Sequence, residues 1–114
     1  MLFRSLKGAS AVIEKDLTAG KLAEELNADA LIILTSVEKV FINRGTDKEK
    51  QLGEISVSQA KQYMEEGHFG VYNMLPKFRA SVSFIEKGEG RLAYITCQEA
   101  LRDALKGRTG TIIR

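Results

Sequence analysis

The stretch Ala30-Leu31-Ile32-Ile33-Leu34-Thr35-Ser36 decides how this chain reads. Its continuous apolar run has the length of a buried strand and is what a central strand covered on both faces requires. Thr35-Ser36 then reads as a tight turn, and Val37 to Asn43 as a second strand. Upstream, Ala9 to Ile13 is a short apolar segment, read as a strand running into Glu14-Lys15-Asp16. Asp16 is placed to cap a helix with Leu22, Ala23 and Leu26 on its inner side. Gly20 inside that helix costs roughly 1 kcal/mol relative to alanine, which suits a close approach.

Downstream, Arg44 to Gln51 is polar and lacks apolar periodicity, so it reads as a surface loop. Ser56 with Gln59 forms a capping box, and Ile55 with Ala60 fits a hydrophobic staple. The helix they start carries Val57, Ala60, Tyr63 and Met64 at helical spacing and stops at Gly67. Pro76, the only proline, reads as the first residue of another helix, where its missing N–H would have no partner. Phe78, Val82 and Ile85 fall on one face of that helix. Gly88 and Gly90 supply a turn before a strand over Leu92 to Ile95. Thr96-Cys97-Gln98-Glu99 reads as a second capping box, for a helix with Ala100, Leu101, Ala104 and Leu105 that ends at Gly107. Thr109 to Ile113 reads as a last strand.

Strands alternating with helices imply an α/β layered fold with a mostly parallel sheet, whose ligands bind outside the carboxyl ends of the strands. Glu14-Lys15-Asp16, Thr35-Ser36 and Thr96-Cys97 leave those ends, which brings Lys15, Asp16 and Thr35 to one rim. Lys15-Asp16 alone reads as a strand-end ion pair with Asp16 as a cap. Lys77 would fall in the first turn of the proline-started helix, where the exposed N–H groups favour anions. The plain reading is a solvated lysine; the alternative is a bound anion such as phosphate between lysine and helix end.

The 114 residues make one domain, 1–114, large enough to bury a real core. A net charge of +2, with bases and acids interleaved as in Lys48-Glu49-Lys50 and Arg102-Asp103, gives no stripe for nucleic acid or a membrane surface. Cys97 is the only cysteine, so no intrachain disulfide forms and a reducing, cytoplasmic setting is the simplest. Its place at a helix start reads as a small buried filler. His68, alone in a loop, reads as structural. No apolar run reaches the length of a membrane span, and Met1-Leu2-Phe3-Arg4 lacks the apolar core of a secretory signal.

Taken together, several segments resemble carbamate kinase of the amino-acid kinase family. They are Ala11-Val12-Ile13-Glu14-Lys15-Asp16-Leu17, Leu22 to Asp29, Ile33 to Asn43, Glu66-Gly67-His68-Phe69, Met74-Leu75-Pro76-Lys77 and Gly110-Thr111-Ile112. They run in order from about Gly8 to the end of the chain, and they match only the C-terminal, nucleotide-binding half of such an enzyme. The resemblance implies a three-layer α/β/α sandwich and, in the intact family, phosphoryl transfer between carbamoyl phosphate and ADP in arginine metabolism. By the same resemblance Asp16 orients catalytic lysines, Lys15 lies near the phosphates and Lys77 contacts the transferring phosphoryl group. Thr35, Ser36, Val40 and Phe41 would form the adenine and ribose wall, with Met74 closing over the nucleotide.

ATP or ADP would bring Mg²⁺ with it, since no cluster of side chains has metal-ligand spacing. The glycine-rich phosphate loop and most of the carbamate site belong to the family's N-terminal half, so carbamoyl phosphate or carbamate would bind only with that half present. The chain departs from the family at Val71-Tyr72-Asn73, where proline-glycine-serine is common, at Glu14 for aspartate, and at Ser36 for glycine or aspartate. A bulky Tyr72 in place of glycine is expected to obstruct a phosphate or reshape the loop. A different class of reading is a non-catalytic α/β interaction or oligomerisation module, since a half-sheet with an open edge favours a homodimer or another partner.

Overall fold

The computed structural model describes residues 29–114. The strand expected over Ala9 to Ile13, the helix after Asp16, and Gly20, Lys15 and Asp16 themselves lie outside the described residues.

Strands β1 (Ala30–Leu34), β2 (Val40–Ile42), β3 (Lys50–Leu52) and β4 (Glu54–Ile55) come first, followed by helices α1 (Val57–Glu65) and α2 (Met74–Glu86). After them come β5 (Leu92–Thr96), a 3₁₀ turn (Gln98–Ala100), α3 (Leu101–Leu105) and β6 (Thr111–Ile113). The main sheet has the order β1-β5-β6-β4, and β2 pairs with β3 in a separate two-stranded sheet. β1 runs parallel to β5 and β4 parallel to β6, whereas β5 and β6 are antiparallel. The α/β class with a mostly parallel sheet stands as expected.

β1 differs from expectation in burial, which alternates along the strand instead of being complete on both faces. Among the described residues it stands at one end of the sheet, with Leu31 and Ile33 fully buried and Ala30, Ile32 and Leu34 half-buried. Alternation of this kind follows from the pleat, which sends successive side chains to opposite faces. The core gathers Leu31 and Ile33 with Ile95, Phe78, Phe84 and Ile113.

α1 starts as its sequence dictates. The Gln59 N–H donates to Ser56 Oγ at 3.1 Å, and the Ser56 N–H donates back to Gln59 Oε1 at 3.0 Å. Ile55 and Ala60, the staple pair, are both buried in the core. Gly67 ends the helix at a φ of +79°, a conformation that glycine adopts without a Cβ clash.

α2 begins two residues earlier than the proline suggests, so Pro76 is its third residue and Lys77 its fourth. The placement costs nothing, because the first N–H groups of a helix have no intrahelical partner. Lys77 is only 8 % exposed, which overturns its reading as a solvated side chain. At the other end of α2 the Arg91 guanidinium donates from Nη1 to the Phe84 carbonyl at 2.8 Å and lies 4.6 Å from the Phe84 ring centre. A cation there suits the negative end of the helix.

Three further expectations change. The strand expected over Val37 to Asn43 contracts to Val40–Ile42, and the expected loop over Arg44 to Gln51 gives up its end to β3. β3 has an exposed Lys50 and Gln51, and only its pairing with β2 makes it a strand. The second capping box does not form: Cys97 caps the 3₁₀ turn without a side-chain bond, and the Thr96 hydroxyl donates to the Glu38 carbonyl at 3.0 Å. The last strand is Thr111–Ile113, entered through Gly110 at a φ of +81°. A Cβ at Gly110 would come within 3.1 Å of Ala104 and 3.3 Å of Thr96, so the glycine lets α3 pack close to the end of β5.

Two buried threonines fasten the β2–β3 hairpin to the main sheet. Thr111 Oγ1 accepts from the Val40 N–H at 2.9 Å and donates to the Leu52 carbonyl at 2.7 Å. Val40 and Leu52 face each other in the hairpin register, so one hydroxyl of β6 clamps both of its strands. Thr96 holds residue 38 of the approach to β2, and the Thr109 hydroxyl donates to the Glu38 carboxylate.

Candidate functional site: a cleft at the carboxyl end of the sheet

The Thr35 N–H donates to the Thr96 carbonyl at 2.8 Å, so the carboxyl ends of β1 and β5 lie side by side. The chain leaving β1 turns over this edge and, with the docked hairpin and the α1–α2 loop, encloses a cleft of about 180 Å³. Thr35, Ser36 and Val37 line it from the first segment, Val40, Phe41 and Arg44 from the hairpin. His68, Phe69, Gly70, Asn73 and Met74 line it from the α1–α2 loop and the start of α2.

Thus Thr35, Ser36, Phe41 and Met74, drawn from three separate segments, line one cleft. Lys77 stands one helical turn past Met74 and is not among the cleft's lining residues. Tyr72 does not obstruct the cleft: its side chain is 99 % exposed and outside the lining.

The lining also includes residues that the sequence reading left aside. The Arg44 guanidinium sits 5.0 Å from the Phe41 ring centre, a cation held against one wall. His68, read as structural, is one of the cleft's lining residues. Its Nε2 is 2.9 Å from Glu66 Oε1, and Tyr63 and Phe69 meet the ring edge-on at centroid distances of 5.8 and 6.4 Å. Phe69 in turn stacks on Phe78 at 4.1 Å, fixing the loop to α2. Hydrogen bonds from Gln62 and then His68 hold the Glu66 carboxyl below its usual range. The signal in the sequence was the spacing of Glu66, His68 and Phe69 after a helix stop, which alone says nothing of where the ring points.

The chemistry of the walls suits a nucleotide. Val37, Val40, Phe41 and Met74 offer an apolar slot for a flat base, Thr35, Ser36 and Asn73 offer hydrogen bonds, and Arg44 offers positive charge. Among the described residues no group of three or more His, Cys, Asp or Glu side chains is placed to hold a metal ion. No helix there is long and apolar enough to cross a membrane.

The sequence profile of the amino acid kinase family matches residues 3–97. This chain belongs to the amino acid kinase family. Within the family it is 49 % identical over 108 residues to the carbamate kinase-like protein YqeA of Escherichia coli, covering 95 % of this chain and 35 % of that protein. It is 48 % identical over 106 residues to carbamate kinase of Pyrococcus furiosus, covering 93 % and 33 %. The chain therefore spans about a third of the length of these relatives. Among solved structures, carbamate kinase from Giardia lamblia bound to AMP-PNP superposes with a TM-score of 0.84 at 40 % identity, over 93 % of this chain and 37 % of that one. Uridylate kinase from Archaeoglobus fulgidus, at 24 % identity and a TM-score of 0.63, shares the fold.

Proposed function

We propose that this amino acid kinase family chain is the C-terminal, nucleotide-binding part of a carbamate kinase-like phosphotransferase, about a third of its length. One observation carries the reading: Thr35, Ser36, Phe41 and Met74, drawn from three separate segments, line one cleft at the carboxyl end of the sheet. The relatives named above support it, one of them bound to AMP-PNP.

In this reading the base and ribose of ATP or ADP lie against Val37, Phe41 and Met74, with Thr35 and Ser36 as polar contacts. Lys77 and Lys15 neutralise phosphoryl oxygens and Asp16 orients the lysines. Transfer of a phosphoryl group needs little from a protein beyond placement and compensation of charge. Mg²⁺ accompanies the nucleotide and shares that compensation. Transfer between carbamoyl phosphate and ADP requires the remaining two thirds of the enzyme, supplied in the same or another chain. A cytoplasmic setting and a homo-oligomer belong to the same proposal.

Isothermal calorimetry of the 114-residue chain with ADP and Mg²⁺ tests it. We expect saturable binding at one site. Lys77→Met should weaken ATP on the order of tenfold, as loss of a charge-assisted contact does, and leave adenosine unchanged. No saturable binding of either nucleotide, with or without Mg²⁺, would remove the proposal.

A second reading, an interaction or oligomerisation module, draws on Val71 and Tyr72, which project into solvent beside the cleft. Self-association by light scattering, without nucleotide binding, is its expected result.

A further inference from the structure

His68 is the polar ring on the wall of the cleft that the nucleotide reading leaves without a role. Its surroundings fix which nitrogen carries the proton. Nε2 faces Glu66 Oε1 at 2.9 Å. Glu66 is held in its ionised form by Gln62 and His68, and an ionised carboxylate only accepts hydrogen bonds. Nε2 is therefore the protonated nitrogen. In the neutral imidazole that makes Nδ1 an acceptor with no donor capacity.

Nδ1 has no hydrogen-bond partner among the described residues. No buried side-chain nitrogen or oxygen there lacks one, so Nδ1 is reached by solvent. His68 is one of the residues lining the cleft. The ring cannot swing freely, because its side chain is only 16 % exposed and sits between Tyr63 and Phe69. The result is a held hydrogen-bond acceptor beside an apolar slot lined by Phe41 and Met74.

We propose that His68 is a base-specificity residue that accepts a hydrogen bond from an exocyclic amino group of the bound base, and that Glu66 is its positioning residue. The inference rests on the nucleotide-binding reading and adds to it a preference for an amino-bearing base over an oxo-bearing one. An oxo group would set one lone pair against another, whereas the amino group of adenine completes the acceptor. A site that hydrogen-bonds one group discriminates against an analogue lacking it, because its own polar atom is then left unpaired.

The test compares ADP with inosine diphosphate, which differs by oxo for amino at one ring position, by calorimetry on the full chain. The native chain should prefer ADP by about tenfold or more, the worth of one hydrogen bond between neutral groups. His68→Phe keeps an aromatic ring between Tyr63 and Phe69 and should bring the ratio close to one, chiefly by weakening ADP. Glu66→Gln, at a half-exposed side chain, can donate to Nε2 and so release the other tautomer. It should narrow the ratio by improving inosine diphosphate, an effect that loosened packing would not produce. Circular dichroism checks that both variants fold, and Glu66→Gln decides alone if His68→Phe does not. ADP binding with an unchanged ratio in the folded variants overturns the His68 assignment and leaves the nucleotide reading standing. Absence of ADP binding by the native chain overturns both.

Discussion

Thr111 shows how much of the cleft hangs on one hydroxyl. Its Oγ1 serves Val40 N–H and Leu52 C=O together, deep in the protein, and through them holds the hairpin that carries Phe41 and Arg44. Thr111→Val keeps the shape of the side chain and removes both bonds, leaving a buried donor and a buried acceptor without partners. We expect a loss on the order of 2 kcal/mol in urea denaturation, with a smaller loss for Thr111→Ser, which keeps the hydroxyl. A loss in Thr111→Val no greater than in Thr111→Ser would mean that the methyl group, not the hydroxyl, holds the hairpin. Lys77 and His68 teach the complementary lesson. Both types are usually solvent-facing or structural in such contexts, and their burial or place at the cleft depends on chain segments distant in sequence.

At the scale of elements, α1 was fully legible. Its capping box, staple and glycine stop are local signals, and each serves the helix that it predicts. Ser56→Ala removes the acceptor for the Gln59 N–H and should cost about 1 kcal/mol in thermal or urea unfolding. Ser56→Asp should restore most of it, because a carboxylate also caps and suits the positive end of the helix. The same motif at Thr96 misled, although its letters match as well. Thr96 belongs to β5, and its hydroxyl is taken by the Glu38 carbonyl across the fold. β3 was illegible for a related reason: Lys50-Gln51-Leu52 has no apolar alternation, and pairing with Val40–Ile42 is what extends it. Local capping competes with long-range hydrogen bonding, and the sequence shows only the first competitor.

For the whole molecule, ligand binding and stability are linked. A nucleotide that binds only the folded chain stabilises it by about 2.7 kcal/mol at a hundred times its dissociation constant. For a domain of this size that corresponds to a rise in melting temperature on the order of 10 °C. Differential scanning fluorimetry with ADP should show this rise and a smaller one with inosine diphosphate at the same concentration. The prediction concerns binding alone, since the chain spans about a third of its relatives' length.

By itself the sequence determined the α/β class, the core strand Ala30–Leu34, the capped helix α1 and the family to which the chain belongs. It also singled out Thr35, Ser36, Phe41 and Met74. These rest on periodicity, local capping and motif order, which act over a few residues or survive as letters. Only the tertiary structure decided that the hairpin docks through Thr111, that Lys77 is buried, that Tyr72 points away and that His68 borders the cleft. Those outcomes depend on which groups meet after the chain has folded. A hydroxyl, an ammonium or an imidazole takes its role from partners distant in sequence, as Val40 and Thr111 are at a separation of 71 residues.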